Sequence, residues 1–138
     1  MTTWTKLEFR HRRIHELNDL TDLVELLFPG NRRQQYAAAH ILLELKQADD
    51  LVRSMTHLEN RYGISRRTMQ RARAKLARLG LIERISWMNT RYHGREGWKL
   101  STRFTGALRA LAGLVETWQT RQDPQRLEKD RALVELLG

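Results

Sequence analysis

No cysteine occurs in the chain, so neither a disulfide framework nor a thiolate zinc site can be built, and nothing in the composition requires an oxidising compartment. Proline is almost as scarce, with two residues in 138, which leaves no proline-rich linker. No apolar run approaches the roughly 18 to 20 residues of a membrane span. Residues 1 to 13 are polar and basic and lack the apolar stretch of a signal peptide. The expectation is a soluble, cytoplasmic protein with no membrane partner. A glycine-rich phosphate loop and a Gly-x-Ser-x-Gly nucleophile elbow are both missing, so no catalytic site and no cofactor are expected, and the chain does not read as an enzyme. Its length suits one compact domain with a helical extension.

Acidic residues are the minority, 16 against 25 Lys and Arg, for a net charge of +9. The distribution is sharper than the total. Between Arg61 and Arg103 stand twelve Lys or Arg and only Glu83 and Glu96, whereas the rest of the chain is close to neutral. A solvated face is the simple reading of a basic run. An anionic partner is the alternative, and the local pattern favours it.

Ile14, Leu17, Leu20, Leu23, Val24 and Leu27 recur at helical steps and predict one helix over residues 8–28, stopped by Pro29-Gly30. Asn31 can cap a second helix to about Lys46, with Ala37, Ala38, Ile41, Leu42 and Leu45 inward. Thr56-x-x-Glu59 has the capping-box pattern of a short third helix that ends at Gly63. Ser65 then caps a fourth, whose inward stripe is Met69, Ala72, Leu76 and Leu79 and whose exit is Gly80. Beyond it the period changes to two. Residues 81–87 and 98–100 read as a hairpin, with Trp87 set opposite Trp98 and Ile85 opposite Leu100 on one apolar face that covers the helices. Helical spacing returns at Leu108, Leu111, Ala112, Val115 and Trp118, and Asp123-Pro124 restarts a last helix carrying Leu127, Leu133, Val134, Leu136 and Leu137.

The stretch Tyr62-Gly63-Ile64-Ser65-Arg66-Arg67-Thr68-Met69-Gln70-Arg71, followed by Lys75-Leu76-Ala77-Arg78-Leu79-Gly80-Leu81-Ile82, resembles the motif of the winged helix-turn-helix superfamily, as in MarR-type and GntR-type regulators. Trp98-Lys99-Leu100-Ser101 with Gly106 beyond is similar to their passage from wing to helix, so the resemblance runs over residues 33–106. It implies a mainly α fold with a small β-hairpin wing, extended by helices at both ends. The corresponding divisions are a helical extension over 1–30, a winged helix-turn-helix domain over 31–104 and helices for dimerisation over 105–138.

With its apolar stripe inward, the fourth helix turns Arg66, Arg67, Gln70, Arg71, Ala74 and Arg78 outward, with Arg73 and Lys75 at the flanks and no carboxylate between Ser65 and Leu81. Such a helix suits phosphate neutralisation. Arg66, Arg67, Gln70 and Arg71 are the candidate base readers, since Arg matches guanine and Gln matches adenine in the major groove. Ser65 and Thr68 suit phosphate, and Lys75 completes the DNA-binding set on this helix. Asn89, Arg91, Tyr92, His93 and Arg95 form the candidate wing contacts.

Other features have simpler readings. His11 and His15, with Glu8 and Asp19, share a helical ridge but read as solvated side chains, and no metal ligand is assigned. His40 reads as a half-buried, hydrogen-bonded ring and Asp49-Asp50 as a helix-ending loop. Trp87 and Trp98 could stack on unpaired bases, but their expected shared face makes them core cover. The expected function is a homodimeric, sequence-specific binder of double-stranded DNA that regulates transcription. A plasmid or viral replication or partition initiator is the alternative within nucleic-acid binding, and a winged-helix protein-interaction module the alternative outside it.

Overall fold

The computed structural model describes residues 6–88, 90–121 and 123–138. It is mainly helical with one small two-stranded antiparallel sheet. In chain order the helices are α1 (His11–Glu16), α2 (Leu20–Leu27), α3 (Arg32–Gln47), α4 (Thr56–Tyr62) and α5 (Arg66–Leu79), then strands β1 (Ile82–Ile85) and β2 (Gly97–Leu100), then α6 (Arg103–Thr120) and α7 (Pro124–Glu135). The chain divides into two compact units, Met1–Thr105 and Gly106–Gly138.

The first unit is organised around α3, which packs against α2, α5 and β2. Its Ala37, Ala38 and Ile41 are fully buried, and the two alanines let neighbouring elements approach closely. Leu27, Phe28, Met55, Leu58, Met69, Leu76 and Ile82 close the same core. Each large apolar side chain so buried contributes about 1.5–3 kcal/mol. Asn31 caps α3 by accepting from the Gln34 amide at 3.1 Å, as its place after Pro29-Gly30 suggests.

Three local expectations are corrected. The helix expected over 8–28 is two helices, because the Asp19 carboxylate accepts from the Asp22 amide at 3.0 Å and from the Thr21 hydroxyl at 2.6 Å, starting α2 afresh. The apolar stripe survives the break, since Ile14, Leu17, Leu20 and Leu23 all pack on the core. The Thr56-x-x-Glu59 capping box does not form. Thr56 is already the first helical residue, and the Ser54 hydroxyl accepts from its amide at 3.3 Å.

The hairpin register is the third correction. Ile82 pairs with Leu100, Glu83 with Lys99, Arg84 with Trp98 and Ile85 with Gly97, three residues away from the expected alignment. An odd shift exchanges the faces, so Trp98 shares its face with Ile82 rather than with Ile85 and Trp87. The cause lies outside the hairpin. Val52 pairs with the other edge of β2, its amide donating to the Trp98 carbonyl at 3.0 Å and its carbonyl accepting from the Trp98 amide at 2.8 Å. Gly97 permits that approach, because a Cβ there would stand 2.8 Å from the Val52 oxygen. Trp98 therefore packs on the core, while Trp87 is left 63% exposed and Leu100 39% exposed.

In the second unit Asp123 caps α7 by accepting from the Gln125 amide at 3.0 Å, with Pro124 in the first turn, as the sequence pattern requires. Leu111, Leu114, Trp118, Leu127, Leu133 and Val134 are each more than half exposed. No helix among the described residues is long and apolar enough to cross a membrane.

Candidate nucleic-acid interface

The α4–α5 junction turns on Gly63, whose φ of 62° is the left-handed conformation that a Cβ disfavours. Ser65 follows as N-cap of α5. Its hydroxyl oxygen accepts from the Thr68 amide at 3.1 Å and its proton goes to the Thr68 hydroxyl at 2.8 Å, so these two candidate residues are joined at the start of the helix. At the other end Gly80, at φ 90°, receives the last turn by donating to the Leu76 and Ala77 carbonyls, each at 3.1 Å. Its own carbonyl accepts from the Phe104 amide at 2.9 Å, which ties the end of α5 to the start of α6.

Between these caps Met69, Ala72 and Leu76 are buried, and that fixes the rotation of the helix. Arg66, Arg67, Gln70, Arg71, Ala74 and Arg78 are the exposed positions of α5 and lie along one face. No carboxylate among the described residues pairs with Arg66, Arg67, Arg71 or Arg78, although the chain forms ion pairs elsewhere, such as Arg13 with Glu25 at 2.6 Å. The face is therefore an uncompensated cationic surface with one amide, Gln70, in its midst.

Lys75 is not part of that face. It sits on the flank toward the N-terminal segment, donates to the Lys6 carbonyl at 2.7 Å and lies 4.8 Å from the centre of the Phe28 ring. Burial pushes its ammonium below the ordinary lysine value. It serves as a structural tie: the flank position expected for it holds, but the ammonium expected to complete the DNA-binding set is engaged with the Lys6 carbonyl. On the opposite flank Arg73 lies over the Trp98 ring at 5.0 Å.

The hairpin residues divide. Asn89 lies outside the described residues. Arg91 is exposed on a 3-10 turn, and His93 takes a left-handed φ of 52°. Tyr92 is half-buried; its hydroxyl accepts from the Lys99 ammonium at 2.9 Å, and that bond holds Lys99 above its ordinary value. Arg95 is tied into the loop, pairing with the Asp50 carboxylate and donating to the Tyr92 carbonyl at 3.1 Å. The hairpin thus brings Arg91 and His93 to the surface but holds Tyr92 and Arg95 in its own frame.

A groove of about 270 Å³ beside the start of α5 is lined by Arg33, Tyr36, Tyr62, Gly63, Ser65 and Thr68. Arg33 and Tyr36 have no local signal as site residues, because it is the packing of α3 on α5 that brings them there. Arg53 is similar: the Val52 pairing carries it to the hairpin, and nothing in its neighbourhood along the chain announces that. His40 corrects the expected hydrogen-bonded ring. It stacks on Tyr62 at 3.6 Å and meets Tyr36 edge-on at 4.6 Å, and burial, then the Arg61 charge, lower its pKa. His11 and His15 are both exposed, and no group of three His, Asp or Glu among the described residues is placed to hold a metal ion.

Comparison with family models, with curated proteins and with solved structures gives no match for this chain.

Proposed function

We propose that the chain is a winged helix-turn-helix protein, a homodimeric transcriptional regulator that binds double-stranded DNA sequence-specifically through α5. The observation that carries the reading is the outward face of α5, where four arginines without carboxylate partners surround Gln70. In this reading α4 and α5 are the helix-turn-helix pair and β1–β2 is the wing. An α-helix fits the major groove, where Arg66, Arg67, Gln70 and Arg71 read base edges. Arg78, Arg33 and the Ser65 end of the helix face phosphates. Arg91 and His93 are the wing's contribution. The exposed leucines of the second unit supply the dimer contact, and a two-fold pair offers two copies of α5 to the two halves of a palindromic site.

The test is a titration of the full chain with a labelled mixed-sequence duplex over a range of salt. On a mixed sequence the four outward arginines meet phosphates rather than chosen base edges, and neutralising about four phosphates makes log K fall against log salt with a slope of about −3.6. A flat response would remove the reading. Selection from a random duplex pool then reports the sequence preference.

A further inference from the structure

The shifted register leaves Trp87 off the core. Its indole is 63% exposed and forms one wall of an open cleft of about 490 Å³, together with Leu51, Arg53, Arg95, Asp50 and Glu96. That size is within the range of small-ligand clefts, about 300–1,000 Å³. The cleft is assembled by the Val52–Trp98 pairing, which sets the segment after α3 alongside the hairpin.

Its charges are already partly matched. Asp50 is paired with Arg95, and Glu96 with Arg84 at 3.6 Å. Arg53 is the remaining cation, exposed and without a carboxylate partner among the described residues. An aromatic face beside a single unmatched guanidinium suits a flat heterocycle that carries one anionic group. An acidic peptide would need more unmatched cations than the cleft offers. A nucleotide unit of a DNA strand has both parts, a π-face for the indole and a phosphate for Arg53. In a paired duplex the base is stacked between its neighbours, so only an unpaired base can reach Trp87.

We propose that this cleft holds one unpaired nucleobase of a DNA strand, stacked on Trp87, with the Arg53 guanidinium on the adjoining phosphate. The proposal rests on the reading of the chain as a DNA-binding protein, which brings the strand to the hairpin. It makes the protein a sensor of locally opened DNA rather than a binder of fully paired sites alone.

The test compares two fluorescein-labelled DNAs with the same duplex sequence, one fully paired and one opened at an end into two thymidine arms. The opened form binds on the order of tenfold tighter than the paired one. Trp87→Ala abolishes that preference and leaves paired affinity unchanged, Trp87→Phe keeps most of it, and Arg53→Gln reduces it. Iodouracil placed in the arm crosslinks to Trp87 in the unaltered chain, which reports the contact even if the alanine variant folds poorly. Equal affinity for the two DNAs, or a preference that survives Trp87→Ala, overturns the proposal. Paired binding with no preference for the opened form overturns this site and leaves the α5 reading intact. Binding to the thymidine arms alone overturns the α5 reading and supports this site.

Discussion

Among single residues, Gln70 and Arg67 differ in kind from Arg78, although all three are exposed on α5. An amide or guanidinium near the start of a groove-bound helix can make two parallel hydrogen bonds to one base edge, so Gln70→Ala or Arg67→Ala should cost about 1–3 kcal/mol on the preferred site and relax one base position. Arg78 lies at the far end of α5. Arg78→Ala should weaken all sequences evenly and reduce the salt slope by about 1, which repeated selection and salt titration would distinguish. Identical preferences in all three variants would displace α5 as the reading element. His40 yields a prediction of another kind. Burial against Tyr62 and the Arg61 charge disfavour its protonated form, so its folded pKa lies below histidine's ordinary value of about 6.5. As pH falls through and below that value the unfolded chain takes the proton first, and this contribution to stability, present above it, is progressively lost. Denaturant unfolding at pH 7.5 and 5.5 should therefore show a drop that is smaller in His40→Phe.

At the scale of elements, the two glycines around α5 do different work. Gly63 opens the turn into the helix, whereas a Cβ on Gly80 would stand 2.9 Å from both the Arg103 Cβ and the Phe104 nitrogen, at a φ of 90° that already disfavours it. Gly80→Ala should destabilise the fold by at least about 1 kcal/mol, whereas Ala74→Ser on the exposed face should stay within roughly 0.5 kcal/mol, both read from urea midpoints. These same elements show how far the chain could be read unaided. The α5 face was legible because one helix carries its own period, its own caps at Ser65 and Gly80 and its own charge. Asn31 and Asp123 were legible as caps for the same reason. The break at Asp19 was not, because the apolar stripe runs through it unbroken and the deciding bond is made by one carboxylate. The hairpin register was not legible either, since it depends on Val52, some 45 residues from β2 in the chain. The engagement of Lys75 was not legible for a similar reason: its partners, Lys6 and Phe28, belong to another part of the chain.

For the molecule as a whole, Leu111, Leu114, Leu127 and Leu133 of the second unit are each more than half exposed, and pairing with the same unit of a second copy would cover them. The full chain should sediment as a dimer at tens of micromolar, and Leu133→Glu with Val134→Glu should shift it to monomer while lowering affinity for a palindromic site far more than for a single half-site. A monomeric unaltered chain would leave a single non-palindromic element as its target. The uncompensated face of α5 also bears on the protein in isolation. Six cations on fourteen residues without a carboxylate repel one another, so any polyanion that neutralises them stabilises the native state more than the unfolded chain. The melting temperature should then rise from chloride to phosphate to heparin at equal ionic strength, by an amount that shrinks in Arg67→Ala with Arg71→Ala. During purification the same imbalance makes the protein a scavenger: it should leave the cell lysate carrying nucleic acid, show absorbance at 260 nm in excess of its own tryptophans and tyrosines, and shed that cargo only at high salt.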